Sequence, residues 1–168
     1  MPTVTTSFQE TTHANPLDVV ESIAEVNEWV FDRRSDQEIA VQAPGTWCDY
    51  SLFFAWNDDV AAMHFTCAFD MRVPPERRTP LYELLAAVNE KLWLGHFGLW
   101  DEEGLPLYRH AVPLRGSEGL SVGQMEDLVD NALFECERFY PAFQYVLWGG
   151  KTAKDAVSAA MVETMGEA

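Results

Sequence analysis

The chain has 168 residues, enough to bury one well-packed core and too few to expect two domains. Aliphatic and aromatic residues make up 48 % of it, with six tryptophans, which excludes an intrinsically disordered protein. Its 27 acidic and 11 basic residues leave a net charge of −16, which argues against DNA, RNA or anionic membrane as partners. The acidity is read first as a solubility device of a cytoplasmic protein, and second as complementarity to a basic partner segment.

Residues 1–14 are rich in Thr and lack periodicity, so they are expected to form a flexible N-terminal tail ahead of a single domain over residues 15–168. The tail has no Lys or Arg and no apolar run, unlike a signal peptide. No window approaches the ~20 apolar residues of a membrane span, and the cytoplasm is the expected location. Asn15-Pro16-Leu17-Asp18 predicts a helix start, with Asn15 as cap and Pro16 at the first helical position. Val19, Val20, Ile23, Val26 and Val30 follow at helical spacing, with an end near Asn27-Glu28. Trp29 to Arg34 and Glu38 to Ala43 are short strand candidates around Ser35-Asp36, closed by Pro44-Gly45.

Trp47 to Phe69 reads as two strands joined by Asn57-Asp58-Asp59. Cys48, Tyr50, Leu52, Phe54 and Trp56 alternate onto one face, and so do Ala61, Met63, Phe65, Cys67 and Phe69. Folding over Asp58-Asp59 pairs Trp56 with Ala61, Phe54 with Met63, Leu52 with Phe65, and Tyr50 with Cys67. A slip of one residue would turn an apolar row to water. A connector with two prolines and three arginines, Asp70 to Arg78, leads to Thr79-Pro80 as cap and first-turn proline. The helix predicted from Leu81 to about Leu94 buries Leu81, Leu84 or Leu85, Val88 and Leu92, and Gly95 ends it.

A second hairpin turns at Asp101-Glu102-Glu103-Gly104 and sets Phe97 opposite Tyr108. Trp100, Leu105 and Leu107 then lie on its other face, as a contact surface or under the C-terminal helix. Ser121-x-x-Gln124 forms a capping box that opens a helix with Met125, Leu128, Val129, Ala132, Leu133, Cys136, Phe139 and Tyr140 on one stripe. Pro141 is expected to kink or interrupt it. Phe143 to Trp148 continues to the Gly149-Gly150 stop, and a short helix follows from Thr152 to about Glu163. The order α-ββββ-α-ββ-α-α, with strands joined by tight turns, predicts an α+β two-layer domain with an antiparallel sheet.

Chemistry has few footholds in this sequence. Gly150-Lys151-Thr152 resembles the end of a phosphate loop, but the required upstream Gly is Tyr145 and a helix precedes it. His64 and Cys67, three apart on a strand, face opposite sides and cannot share an ion. Asp58-Asp59 and Glu102-Glu103 sit in turns as solvated pairs. His110 reads as a hydrogen-bonded core histidine. Cys48 and Cys67 are placed diagonally, too far apart for easy bridging, and Cys136 lies on a helix stripe, so all three read as reduced core residues. No catalytic residue, metal ligand or cofactor site is therefore predicted.

The layout resembles the bacterial YbjN family of sensory-transduction regulators, from about Asn15 to Ala168. The resemblance is carried by Tyr50 to Phe69, by Gly95-His96-Phe97 through Gly104 to Tyr108-Arg109, and by Val112-Pro113-Leu114. The Ser121 helix into Phe139-Tyr140-Pro141 and the tail Met161 to Gly166-Glu167-Ala168 add to it. That family is similar to the type III secretion chaperone fold, small acidic dimers that hold a segment of another protein. The resemblance implies a homodimer joined through the Leu81–Leu94 helix and its neighbouring strand. The two early strands and the helix after Gly150 are departures from the chaperone pattern that could cover its binding surface.

The expected function is a non-enzymatic protein-binding module, chaperone-like or regulatory, with an unidentified protein partner. Its candidate contact and dimer residues are Trp93, Trp100, Leu105 and Leu107. The alternative is a small-molecule sensor with a pocket between the sheet and the helices.

Overall fold

A computed structural model describes residues 15–166, with side chains as far as Val162. The expected tail over residues 1–14 lies outside the described residues, as do Glu167 and Ala168. The elements are α1 (Leu17–Val26), β1 (Val30–Arg33), β2 (Glu38–Pro44), β3 (Asp49–Asn57), β4 (Ala62–Ala68) and α2 (Arg78–Asn89). After them come β5 (His96–Trp100), β6 (Leu105–Pro113), α3 (Val122–Leu147) and α4 (Ala153–Gly166). This is the predicted α+β order. All pairings are antiparallel, and the six strands lie in the order β1-β2-β3-β4-β6-β5. The excursion through α2 lets β6 pair with β4 and leaves β5 at the edge.

The central hairpin keeps its predicted faces but shifts its register by two residues. Trp56 faces Met63, Phe54 faces Phe65 and Leu52 faces Cys67. Asn57 is the reason: its Oδ1 accepts from the amides of Asp59 and Val60, at 2.9 and 3.4 Å, and builds a longer turn. The turn closes on Ala61 in the left-handed region, φ 48°. An even shift preserves every apolar row, so nothing in the alternation could separate the two registers. The observed one stacks Phe54 on Phe65, with centroids 4.5 Å apart.

Asn15 caps α1 as expected, its Oδ1 accepting from the Leu17 amide at 3.0 Å. The helix ends at Val26, just before the predicted Asn27-Glu28. Glu28 takes φ 58°, and the Trp29 amide reaches back to the Ala24 carbonyl, a paired C-terminal closure. Val26 is consequently 83 % exposed and Val30 belongs to β1. α2 also differs from its predicted bounds. A single 3₁₀ turn at Pro75–Arg77 leads directly into it, so Thr79 and Pro80 lie inside the first turn. It ends at Asn89 because that side chain turns to β5, donating to the Phe97 carbonyl at 3.0 Å and accepting from its amide at 2.7 Å.

α3 runs unbroken for 26 residues through Pro141, which corrects the expected interruption. A proline cannot donate to the carbonyl four residues earlier, here Glu137. The Trp47 indole N–H donates to that carbonyl instead, at 3.1 Å, and its ring stacks on Tyr140. The Glu137 carboxylate accepts from the Thr46 amide and from Tyr50 Oη, so one helical residue holds the β2–β3 turn by three bonds. The helix begins at the predicted Ser121/Gln124 capping box.

α1 and α3 pack on one face of the sheet, and α4 packs on α2 and α3. Between the layers Phe69, Phe97, Tyr108, Phe139 and Phe143 form a continuous aromatic core of edge and tilted contacts. Each of these rings is nearly or fully buried, and burial of this kind is worth ~1.5–3 kcal/mol per large side chain.

Candidate interaction surface

The opposite face of the sheet carries every second residue of the same strands, which the helices do not cover. Phe53 on β3 and Trp100 on β5 lie there, separated by β4 and β6. Their rings nevertheless meet edge to face, with centroids 6.3 Å apart. To do so they must reach over the two strands between them. The small residues beneath, Thr66 and Ala68, are buried for that reason, and Leu107 is only 2 % exposed. Trp100 itself is 40 % exposed and Leu105 is half-buried.

Of the predicted contact residues, Trp100 and Leu105 share this outer face, opposite one another in the β5–β6 register. Leu107 belongs to the same face but is floor, not contact surface. Trp93 stands apart in the turn between α2 and β5 and is 99 % exposed, with Leu94 beside it half exposed. α4 does not cover these residues; it lies on α2 and α3, which settles the position of the C-terminal helix.

Sequence reasoning missed Phe53 and Arg109. The alternation of β3 places Phe53 outside, so parity alone could have found it. Arg109 lies in one cross-strand row with Phe53, Thr66 and His96. His64, one row away, has its pKa pushed down by burial, then by Arg109 and His96, which places those two side chains near it. Arg109 is half-buried, and its Nε is buried without a hydrogen-bond partner. The face continues past His64 into an open concavity of about 400 Å³ that Ala55, Val60, Ala111 and Glu38 also line.

On the core side, Cys67 and Cys136 bring their sulfurs to 3.6 Å, a proximity the diagonal comparison of Cys48 with Cys67 did not anticipate. All three cysteines are free, and burial pushes the Cys136 thiol well up, away from a reactive thiolate. Tyr108 donates to the Leu94 carbonyl at 2.6 Å and accepts from Asn131 at 2.8 Å; burial pushes its pKa up to about 12. His110 has a buried Nδ1 without a partner, and burial, followed by His96, lowers its pKa. Its expected core hydrogen bond at that atom is not made. Glu135 and Arg138 pair at 3.6 Å beneath α4, where burial raises the carboxyl pKa. Among the described residues no three His, Cys, Asp or Glu side chains gather as a metal site. No described helix is long and apolar enough to cross a membrane. The cavity between α1 and the sheet, lined by Ile23, Trp29, Leu52 and Val129 among others, measures about 10 Å³, the room of one water.

A sequence profile of the YbjN family, described as "Putative bacterial sensory transduction regulator", matches residues 16–145. The chain belongs to the YbjN family. The match covers the sheet, α1, α2 and most of α3, and stops short of α4. The crystal structure of YbjN from E. coli, described as a putative transcription regulator, superposes with a TM-score of 0.52 at 15 % identity. That comparison covers 75 % of this chain and 90 % of the E. coli chain, and it shows a shared fold. Among curated proteins none matches the chain.

Proposed function

We propose that this YbjN-family chain is a non-enzymatic, chaperone-like protein-binding module of a regulatory system in the cytoplasm, acting as a homodimer. The observation that carries the reading is a sheet with one face free of helices, on which Trp100 and Phe53 present an aromatic surface. Exposed aromatic area of this kind is characteristic of protein contacts. Three free thiols fit a reducing compartment, and the family description supports a regulatory role.

We assign the dimer contact to the β5 side of the sheet, next to the Asn89 side chain that holds Phe97, where Trp93 is 99 % exposed. A second copy packing on this side would cover the indole without displacing the Asn89–Phe97 bonds. Light scattering of the 19.0 kDa chain across concentration tests this directly. A mass near twice the monomer, shifted toward monomer by Trp93→Ser, is the expected outcome. A monomer at every concentration ends the dimer reading and leaves a transient regulator.

A further inference from the structure

We propose that the outer face of the sheet around Arg109 is a receptor for a carboxylate carried by an extended acidic segment of a partner protein. The proposal rests on the reading of this face as a protein-binding surface and adds the chemistry of what it binds.

Apart from Arg115, which is exposed in the loop after β6, the other arginines of this acidic chain are engaged. Arg33, Arg34, Arg72, Arg78 and Arg138 each meet a carboxylate, and Arg77 donates to the Leu147 carbonyl. Arg109 has no such partner among the described residues, although 27 acidic groups are available to the chain. Its Nε, like those of Arg78 and Arg138, is buried without a hydrogen bond, which costs free energy, but those two have a carboxylate on the rest of the guanidinium and Arg109 does not. A guanidinium held this way retains its planar fork for a bidentate carboxylate.

The surroundings select the ligand. Phe53 and Trp100 offer an apolar shelf on one side, and the open concavity beyond His64 continues on the other. Beyond the rings that cover Thr66 and Ala68, the neighbouring row Ala55, His64 and Ala111 has small residues on either side of the imidazole, so an extended chain can lie along it. One fixed cation flanked by two imidazoles is too little charge for a nucleic acid against a net −16. A second copy docking by the same face would set Arg109 against its own copy near a twofold axis, which disfavours self-association there.

The probe is the acetylated, amidated pentapeptide Val-Trp-Glu-Val-Thr, compared with the same peptide carrying Gln for Glu. The expected result is saturable movement of the Arg109 Nε–H and Trp100 indole resonances, with the Gln peptide binding about tenfold more weakly. Arg109→Gln should abolish the difference between the two peptides while leaving circular dichroism and melting unchanged. Should that variant fail to fold, Arg109→Lys keeps the charge but not the fork, and should narrow the difference.

Equal binding of both peptides to the parent protein, lost in Trp100→Ser, overturns the carboxylate assignment while sparing the reading of the face as a binding surface. No movement of either resonance overturns the proposal and leaves the dimer to be judged by light scattering. Displacement of the peptide by an equal concentration of inorganic phosphate overturns it in favour of a general anion site. Movement of the Trp100 resonance with protein concentration alone assigns the face to a second copy.

Discussion

Trp47 does two things at once for α3. It supplies the donor that Pro141 cannot, and it stacks on Tyr140, so a proline in the middle of a long helix leaves no carbonyl unpaired. Trp47→Phe removes the N–H and keeps most of the ring, and should cost about 1–2 kcal/mol in chemical denaturation. Pro141→Ala restores an amide beneath Glu137, so the same substitution should cost measurably less in that background. A double-mutant cycle reads the coupling. The two histidines with lowered pKa values make a second expectation at this scale. Both His64 and His110 resist protonation when folded, for burial first and neighbouring cations after it. The unfolded chain therefore takes up protons first as pH falls through about 6.5, and stability declines until the folded pKa is passed. His64→Gln and His110→Gln should each lose less melting temperature than the parent between about pH 7 and about pH 5. Comparison with the parent cancels the opposing relief of carboxylate repulsion.

Asn89 is where α2 becomes β5. Its side chain pairs with both backbone groups of Phe97, imitating a strand at the sheet's unprotected edge. Gly95 serves the same junction, with φ 68°, and a Cβ there would come within 2.3 Å of Tyr108 Oη. Asn89→Ala should cost about 1–3 kcal/mol and accelerate hydrogen exchange at the Phe97 and Leu99 amides well before it affects β3 or β4. Equal acceleration throughout the sheet would show that β5 is not separately held. The junction matters for function because β5 carries Trp100 and borders Trp93, so the geometry of both exposed tryptophans depends on it.

Across the whole molecule, the charge is strongly one-sided in sign. Carboxylates dominate the chain, while the outer sheet face gathers Arg109, His64, His96 and Arg34, the last above the Phe53 ring and paired with Asp32. A net −16 opposes compaction by self-repulsion that salt screens within ~8–10 Å. The melting temperature should therefore rise on going from about 0.02 to about 0.3 M sodium chloride, by scanning calorimetry. A fall would mean that local ion pairs such as Arg33 with Asp18 and Glu21 outweigh the global repulsion.

What the amino-acid order determined by itself was everything with a strict local period. The alternation of β3 and β4 assigned their faces, Ser121 and Gln124 marked the start of α3, and the turn residues Asp101 to Gly104 set the Phe97–Tyr108 pairing. Tertiary contacts decided the rest. The hairpin register was degenerate in steps of two, and only the Asn57 turn resolved it. Pro141 reads as a break because its remedy, Trp47, lies 94 residues away in the chain. Likewise, the exposure of Trp100, the burial of Leu107 and the lack of a partner for Arg109 depend on side chains from four strands meeting on one face. Periodicity says which way a residue points; only the packed sheet says what is standing there.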